Sequence, residues 1–136
     1  MNPKEGHKES SITNENKAIL IVDDDKDFCH TLKDIFEADG YKVLIAFNGD
    51  QAYQITKSET VGLIISDIRM PVVNGIALLE MIREKNPRMK IIIITAYEEM
   101  KTYLEVMRLG AFGFLKKPLD ITALKEKVAE AFNKSK

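Results

Sequence analysis

The chain of 136 residues, 45% of them hydrophobic, is long enough for one compact core and too short for two ordinary domains. Its formal net charge of -1, from 20 basic and 21 acidic residues, argues against nucleic acid or an anionic membrane as a direct partner. Its single cysteine, Cys29, excludes an internal disulfide framework and a cysteine-based zinc site, and it predicts a reducing compartment such as the cytoplasm.

The first 16 residues are polar and contain no apolar core of the kind that a secretory signal needs. They cannot bury enough apolar surface to offset the entropy of ordering, so we expect a disordered tail over residues 1–16. The longest apolar stretches further along are the length of strands, so no membrane span is expected. We therefore predict one folded domain over residues 17–134.

Along that domain, short apolar segments alternate with segments of helical spacing. The predicted strands are 18–22, 41–46, 62–66, 91–95 and 113–116. Three of them are nearly continuous in Ile, Leu and Val, which is typical of parallel strands that are covered on both faces. The helical segments between them carry apolar stripes that we expect to face the core: Phe28, Leu32, Ile35 and Phe36; Ala52 and Ile55; Ile76, Leu79 and Ile82; Met100, Leu104 and Met107; Leu124, Val128 and Ala131.

Residues that help to begin and end helices flank these stripes. Asn48 and Asp120 are expected N-caps, and Gly40 and Gly110 are expected stops. Five alternating strand and helix pairs predict an α/β fold, a parallel sheet with helices on both faces. In such sheets, functional groups gather at the carboxyl ends of the strands.

Three kinds of polar side chain, a carboxylate, a hydroxyl and an ammonium, lie at the ends of the predicted strands along that edge. The first strand runs into Asp23, Asp24 and Asp25, the third into Asp67, the fourth into Thr95, and the fifth into Lys116, Lys117 and Pro118. Any one of these acids alone is a common turn former or helix cap, Thr95 alone is a good strand residue, and a lysine alone is an ordinary surface charge. The joint pattern favours a site.

The chemistry of that site follows from its charges. Two carboxylates about 4 Å apart repel by roughly 4 kcal/mol at an effective dielectric near 20, so Asp23, Asp24 and Asp67 would be unfavourable together without a proton or a cation. Their hard oxygens suit Mg²⁺. A carboxylate beside Mg²⁺ can attack phosphorus, and an ammonium and a hydroxyl can stabilise the phosphoryl oxygens. The chemistry alone does not choose between Lys116 and Lys117.

Four strings, "ILIVDDD", "DIRMPVVNG", "IIIITAY" and "GAFGFLKKPLD", resemble in order and spacing the receiver domain of bacterial two-component response regulators. The resemblance runs from about residue 17 to residue 134. It implies a flavodoxin-like, doubly wound (βα)5 fold with a five-stranded parallel sheet in the order 2-1-3-4-5. It also implies that the chain accepts a phosphoryl group from a histidine kinase or a phosphotransfer protein and then changes its affinity for partners.

The same resemblance implies a role for individual residues. Asp67 is similar to the phosphoacceptor, Asp24 to a direct Mg²⁺ ligand and Asp23 to a ligand acting through water. The remaining roles implied are the backbone carbonyl of Arg69 as a metal ligand, Lys117 as the phosphate contact, a cis peptide between Lys117 and Pro118, and Thr95 and Phe114 as the switch pair. Partners, including a second copy of the chain, would bind the face formed by helix four, strand five and helix five.

Two features modulate or depart from the commonest family pattern. Asn74 stands where many members have Asp before the glycine, and we expect it to be tolerated because both side chains suit a tight turn. Arg69 and Tyr97 lie two residues after Asp67 and Thr95, where members of the family influence how fast water reaches the acyl phosphate. Their bulk predicts slow self-dephosphorylation.

Three hypotheses compete. The favoured one is a signalling module that catalyses only its own phosphorylation and dephosphorylation and is otherwise not an enzyme, either free-standing or cut from a longer regulator. A haloacid-dehalogenase-like phosphohydrolase would need an Asp-x-Asp-x-Thr or Asp-x-Asp-x-Val motif and a later acidic pair, whereas "DDDKD" places Asp27 at the fifth position. A phosphorylation-independent interaction module would not require the acids, Thr95 and Lys117 together.

Overall fold

The computed structural model describes residues 17–69, 74–96 and 100–133. The expected tail over 1–16, Tyr97 and Lys134 lie outside these ranges. The strands are β1 (Ala18–Val22), β2 (Lys42–Ala46), β3 (Leu63–Asp67), β4 (Lys90–Thr95) and β5 (Gly113–Lys116). The helices are α1 (Lys26–Ala38), α2 (Gly49–Ser58), α3 (Gly75–Lys85), α4 (Met100–Arg108) and α5 (Ile121–Asn133).

The strands form one parallel sheet in the order β2-β1-β3-β4-β5, which confirms the predicted architecture. Every strand agrees with its predicted bounds to within one residue. β3 extends to Asp67, whose backbone pairs with Ile94 of β4. The backbone of Asp67 is therefore fixed by the sheet, which in turn fixes the position from which its carboxylate projects.

Two apolar clusters cover the two faces of the sheet. One joins β1 and β3 to α1 and α5 through residues such as Phe36 and Val128. The other joins the same strands to α2, α3 and α4 through residues such as Leu79 and Val106. Among the helices described here, none combines the length and the apolar composition that crossing a bilayer requires.

The predicted apolar stripe of α4 is wrong. Leu104 is 51% exposed and Met107 is 36% exposed, whereas Val106 is completely buried and packs into the core. α4 has nine residues and contributes little to the core, so the spacing of its apolar residues is compatible with more than one orientation of the helix. In the structure, the helix packs against the sheet through Val106. The other stripes are oriented as predicted, with Leu78 of α3 buried beside Leu79.

Short polar side chains begin four of the helices. Asp25, Asn48, Asn74 and Asp120 each accept a hydrogen bond from a backbone N–H in the first turn of the helix that follows. Asn74, the residue that departs from the family pattern, thus serves as the N-cap of α3. Gly40 and Gly110 follow α1 and α4 with φ values of 95° and 90°, a region that suits glycine, so both expected stops are confirmed.

A half-buried arginine fixes two loops at the opposite edge of the sheet. The Arg83 guanidinium donates hydrogen bonds to backbone carbonyls of residues 86, 87 and 89 and to those of residues 109 and 110. One side chain of α3 therefore joins the loop before β4 to the loop before β5.

Candidate functional site

Three carboxylates converge at the carboxyl edge of the sheet. Asp23 directly follows β1 and is 2% exposed, Asp67 ends β3 and is 8% exposed, and Asp24 is open to solvent. One carboxylate oxygen from each of these residues lies within 4.8 Å of the other two. The predicted acidic cluster is therefore present, and parallel strand ends create it.

The β1–α1 turn immobilises Asp23. Its Oδ1 accepts a hydrogen bond from the backbone N–H of Asp25 at 2.9 Å, and its Oδ2 accepts one from the Lys117 ammonium at 2.8 Å. The Cys29 thiol donates to the backbone carbonyl of Asp23 at 3.2 Å. Burial, followed by repulsion from Asp23, raises the pKa of that thiol to about 12, so Cys29 is an inert core residue.

The two oxygens of Asp67 have different surroundings. Oδ1 accepts hydrogen bonds from the backbone N–H groups of Ile68 at 2.8 Å and Arg69 at 3.4 Å. Oδ2 lies 3.7 Å from the Lys117 Nζ. Burial, reinforced by the nearby charge of Asp23, raises the pKa of Asp67, and Lys117 and the two N–H groups offset only part of that rise.

Lys117 is the lysine of the site. Burial alone would lower its pKa, but the hydrogen bond and charge of Asp23, followed by the charges of Asp67 and Asp25, outweigh burial and raise it. Its backbone N–H donates to the Thr95 carbonyl at 2.9 Å, and its peptide bond to Pro118 is cis, as predicted. Lys116 is exposed at the end of β5. The structure thus resolves a choice that chemistry alone left open.

Thr95 lies where the sequence predicts it. The residue is 1% exposed at the end of β4 and lines a cavity of about 190 Å³ together with Asp67, Arg69, Ala96 and Lys117. A carboxylate, a hydroxyl and an ammonium therefore border one small open space, which is large enough for a phosphoryl group.

Three predicted residues remain: Phe114, Arg69 and Tyr97. Phe114 is half-buried in β5, and its ring meets the Tyr103 ring of α4 edge-to-face, with centroids 5.4 Å apart. Arg69 is exposed, and its carbonyl as a metal ligand stays a prediction. The part of the chain that the structure describes does not include Tyr97, so its role also stays a prediction.

Two residues to which the sequence assigned no role in the site contact it. The Lys117 Nζ lies 4.3 Å from the centroid of the Phe28 ring. A Cβ atom added to Gly75 would lie 2.3 Å from the backbone oxygen of Asp67, so only glycine fits there. Phe28 lies one turn after the acidic cap Asp25, which places it near the rim but does not show that its ring meets Lys117. The Gly75 contact depends on tertiary packing.

The donor set fits a magnesium ion. Oxygens bound to one Mg²⁺ at about 2.1 Å lie about 3 to 4.2 Å apart, so a separation within 4.8 Å needs only a small side-chain rotation. Asp24 is exposed and free to make that rotation. Carboxylate oxygens are also the ligands that Mg²⁺ prefers.

The sequence of the chain matches a protein-family model described as "Response regulator receiver domain" over residues 19–129. The chain belongs to the response regulator receiver domain family. Its five-stranded parallel sheet in the order 2-1-3-4-5 is the flavodoxin-like fold that this resemblance predicted.

The receiver domain has similar relatives among both curated proteins and solved structures. It is 36% identical over 120 residues to the transcriptional regulatory protein ZraR of Escherichia coli K12, a match covering 88% of this chain and 27% of ZraR. It is 34% identical over 113 residues to sporulation initiation phosphotransferase F of Bacillus subtilis, covering 83% of this chain and 91% of that protein. The crystal structure of a CheY-like receiver domain from Methanospirillum hungatei is 33% identical with a TM-score of 0.84, covering 88% and 95% of the two chains.

These relatives differ in length. The receiver domain spans about a quarter of ZraR and nearly all of sporulation initiation phosphotransferase F. Family membership does not favour the phosphohydrolase reading, and it identifies the chain as a two-component signalling module.

Proposed function

We propose that this receiver domain accepts a phosphoryl group on Asp67 in a reaction that requires Mg²⁺. The observation that supports this most directly is the cavity that Asp67, Thr95 and Lys117 share, beside the carboxylates of Asp23 and Asp24. Those carboxylates and Asp67 would hold the ion, with the Arg69 carbonyl as a further ligand. When bound, Mg²⁺ supplies positive charge that offsets the charge of the phosphoryl oxygens.

In the proposed reaction, Asp67, Lys117 and Thr95 have different roles. Asp67 Oδ2, the oxygen that faces the ammonium, attacks phosphorus while the bond from phosphorus to the donor nitrogen breaks; the nitrogen keeps the bonding electrons and is protonated. Lys117 and Thr95 stabilise the oxygens of the transferred group. The donor is a phosphohistidine of a histidine kinase or a phosphotransfer protein. Apart from its own phosphorylation and dephosphorylation, the domain catalyses no reaction, and bulk at Arg69 and Tyr97 makes its dephosphorylation slow.

The proposed output is a change at the face of α4, β5 and α5, with Thr95 and Phe114 as the switch pair. On that face Tyr103 and Leu104 are 42% and 51% exposed, although their side chains are largely apolar. Exposed apolar surface of this kind often marks an interaction site. A second copy of the domain is one proposed partner. We propose no direct binding to nucleic acid or to a membrane, and we propose the cytoplasm as the location of the domain.

The experiment that tests this proposal measures the intact mass of the protein after incubation with phosphoramidate, with and without Mg²⁺. We expect one added phosphoryl group on the wild-type protein in the presence of Mg²⁺ and none on Asp67→Asn. Asp27→Asn is the matched control, because Asp27 is an exposed carboxylate in the first turn of α1 on the same rim. Labelling of Asp67→Asn at the wild-type level would overturn the assignment of the acceptor.

A further inference from the structure

The aromatic ring of Phe28 lies against the ammonium of Lys117. The distance of 4.3 Å from Nζ to the ring centroid is well inside the roughly 6 Å over which an aromatic face attracts a cation. Phe28 is half-buried at the edge of the core cluster that contains Cys29 and Leu32. The contact joins α1 to the residue after β5, at the same rim as the three carboxylates.

The turn between β1 and α1 determines where this ring lies. Asp25 Oδ1 accepts a hydrogen bond from the backbone N–H of Phe28 at 3.1 Å, while the N–H of Asp25 itself donates to Asp23 Oδ1 at 2.9 Å. The next residue, Cys29, donates to the Asp23 carbonyl. One short turn thus positions both the carboxylate partner and the aromatic partner of the Lys117 ammonium.

Within the described ranges, Asp23, Asp67 and Phe28 contact the ammonium, and they would respond differently to a bound metal ion. Asp23 at 2.8 Å and Asp67 at 3.7 Å are also proposed magnesium ligands, so a bound ion would compete with the ammonium for their oxygens. The Phe28 ring offers Mg²⁺ no oxygen ligand. Its attraction for the ammonium therefore persists when the carboxylates turn towards the ion.

From this difference we propose that Phe28 is a positioning residue for phosphoryl transfer: its ring holds the Lys117 ammonium beside the cavity while Asp67 accepts the phosphoryl group. The inference rests on the proposed function of Asp67. A lysine is a point charge on a flexible four-carbon stem, so the fraction of molecules with the ammonium in place depends on such restraints. At a partly exposed site, losing a cation–π contact corresponds to about a two- to fivefold loss in that fraction.

The test compares the rate of Asp67 phosphorylation by phosphoramidate at saturating Mg²⁺ in four proteins. Phe28→Leu keeps an apolar side chain of similar size but removes the aromatic face, and Phe28→Tyr keeps the face. Phe47→Leu is the matched control, because Phe47 also lies beside a lysine, Lys26 at 5.4 Å, but does not contact Lys117. We expect Phe28→Leu to be about two- to fivefold slower, and Phe28→Tyr and Phe47→Leu to match the wild-type rate.

A second pair of measurements separates positioning from packing. The Mg²⁺ affinity of Phe28→Leu should equal that of the wild-type protein, because the ring is not a ligand. A double-mutant cycle of Phe28→Leu and Lys117→Met can be measured by urea unfolding. We expect Phe28→Leu to lower the free energy of unfolding less in the Lys117→Met background, where the ammonium is absent, than in the wild-type background. A ring that serves only as packing would cost the same stability in both backgrounds.

The outcomes distinguish this inference from the function on which it rests. If the wild-type protein takes no phosphoryl group, the proposed function fails and the inference fails with it. If the wild-type protein is labelled and Phe28→Leu is labelled equally fast, the proposed function stands and the inference is overturned. Strictly additive unfolding free energies in the cycle would also overturn it.

Discussion

The α-carbon of Gly75 packs directly against the backbone carbonyl of Asp67. The N–H of Gly75 donates to the carbonyl of Ile68 at 2.8 Å, so the first residue of α3 is joined to the segment that follows β3. A methyl group at Gly75 would lie 2.3 Å from the Asp67 oxygen and 2.8 Å from the Ile68 α-carbon. Both neighbours are backbone atoms, which cannot move aside as a flexible side chain can.

Gly75→Ala is therefore expected to destabilise the domain by about 1 to 3 kcal/mol, the usual cost of overpacking, although alanine is the better helix former. The measurement is the free energy of unfolding in urea. Gly113→Ala is the control, because the three atoms nearest to its added methyl group all belong to the flexible Lys127 side chain, the closest at 3.1 Å. A Gly75→Ala protein as stable as the wild type would contradict the reported packing.

Asp67 should lower the stability of the metal-free domain at neutral pH. Its pKa is higher in the folded state than in the unfolded state, so folding favours the protonated form and the ionised form costs stability. This cost is present above the folded pKa and disappears as the pH falls below the unfolded value. Asp67→Asn should therefore unfold at a higher temperature than the wild type at pH 7 without Mg²⁺, and this advantage should shrink as the pH falls.

The same comparison in Mg²⁺ supplies an internal control. A ligand that binds only the folded state stabilises it by about 2.7 kcal/mol at 100 times its dissociation constant. The wild-type domain should gain more from Mg²⁺ than Asp67→Asn does, because the variant lacks one proposed ligand. An Asp67→Asn protein that is less stable than the wild type without Mg²⁺ would contradict the direction of the pKa shift.

Asp24→Ala should weaken Mg²⁺ binding while leaving the fold intact. The side chain is exposed, so its removal opens no cavity in the core. Losing a ligand should reduce the affinity by at least the roughly 10- to 100-fold that loss of an outer-shell partner costs. Calorimetric titration with Mg²⁺ measures this change, with Asp27→Ala as the control on the same rim. Unchanged affinity in Asp24→Ala would remove this residue from the metal site.

The exposed face of α4 predicts how assembly depends on phosphorylation. If a second copy binds there, Leu104→Glu should prevent dimerisation of the domain in Mg²⁺ and beryllofluoride, because it places a charge in an apolar contact. Light scattering after size-exclusion chromatography gives the oligomeric state. Glu105→Gln is the control on the same exposed helix. A dimer that Leu104→Glu leaves intact would place the interface elsewhere.

The sequence predicted most of the architecture because continuous Ile, Leu and Val segments identify buried parallel strands almost without ambiguity. Asp67 and Thr95 could then be located, since strand ends of a parallel sheet share one edge. The orientation of α4 could not be predicted, because the spacing of Leu104 and Met107 is equally regular on a buried face and on an exposed one. Only the packing of Val106 decides between them.

Contacts between distant segments were the other part that the sequence could not supply. Phe28 and Lys117 are 89 positions apart, and nothing in either local pattern shows that a ring meets an ammonium. Arg83 is similar, since a charged residue near the end of a helix is usually a solvated one, and here it fixes two loops through their backbone carbonyls. Family resemblance chose Lys117 over Lys116 by spacing, and the structure shows the physical basis of that choice.

Because Cys29 is inaccessible, the domain can be labelled selectively at an introduced cysteine. Because the thiol is buried and stays protonated far above neutral pH, maleimide reagents will react much faster with a cysteine introduced on the surface. A fluorophore or spin label can therefore be attached to α4 without first removing the native thiol, whose hydrogen bond to the Asp23 carbonyl would be lost in a cysteine-free background. Motion of that helix can thus be followed with the phosphorylation site unaltered.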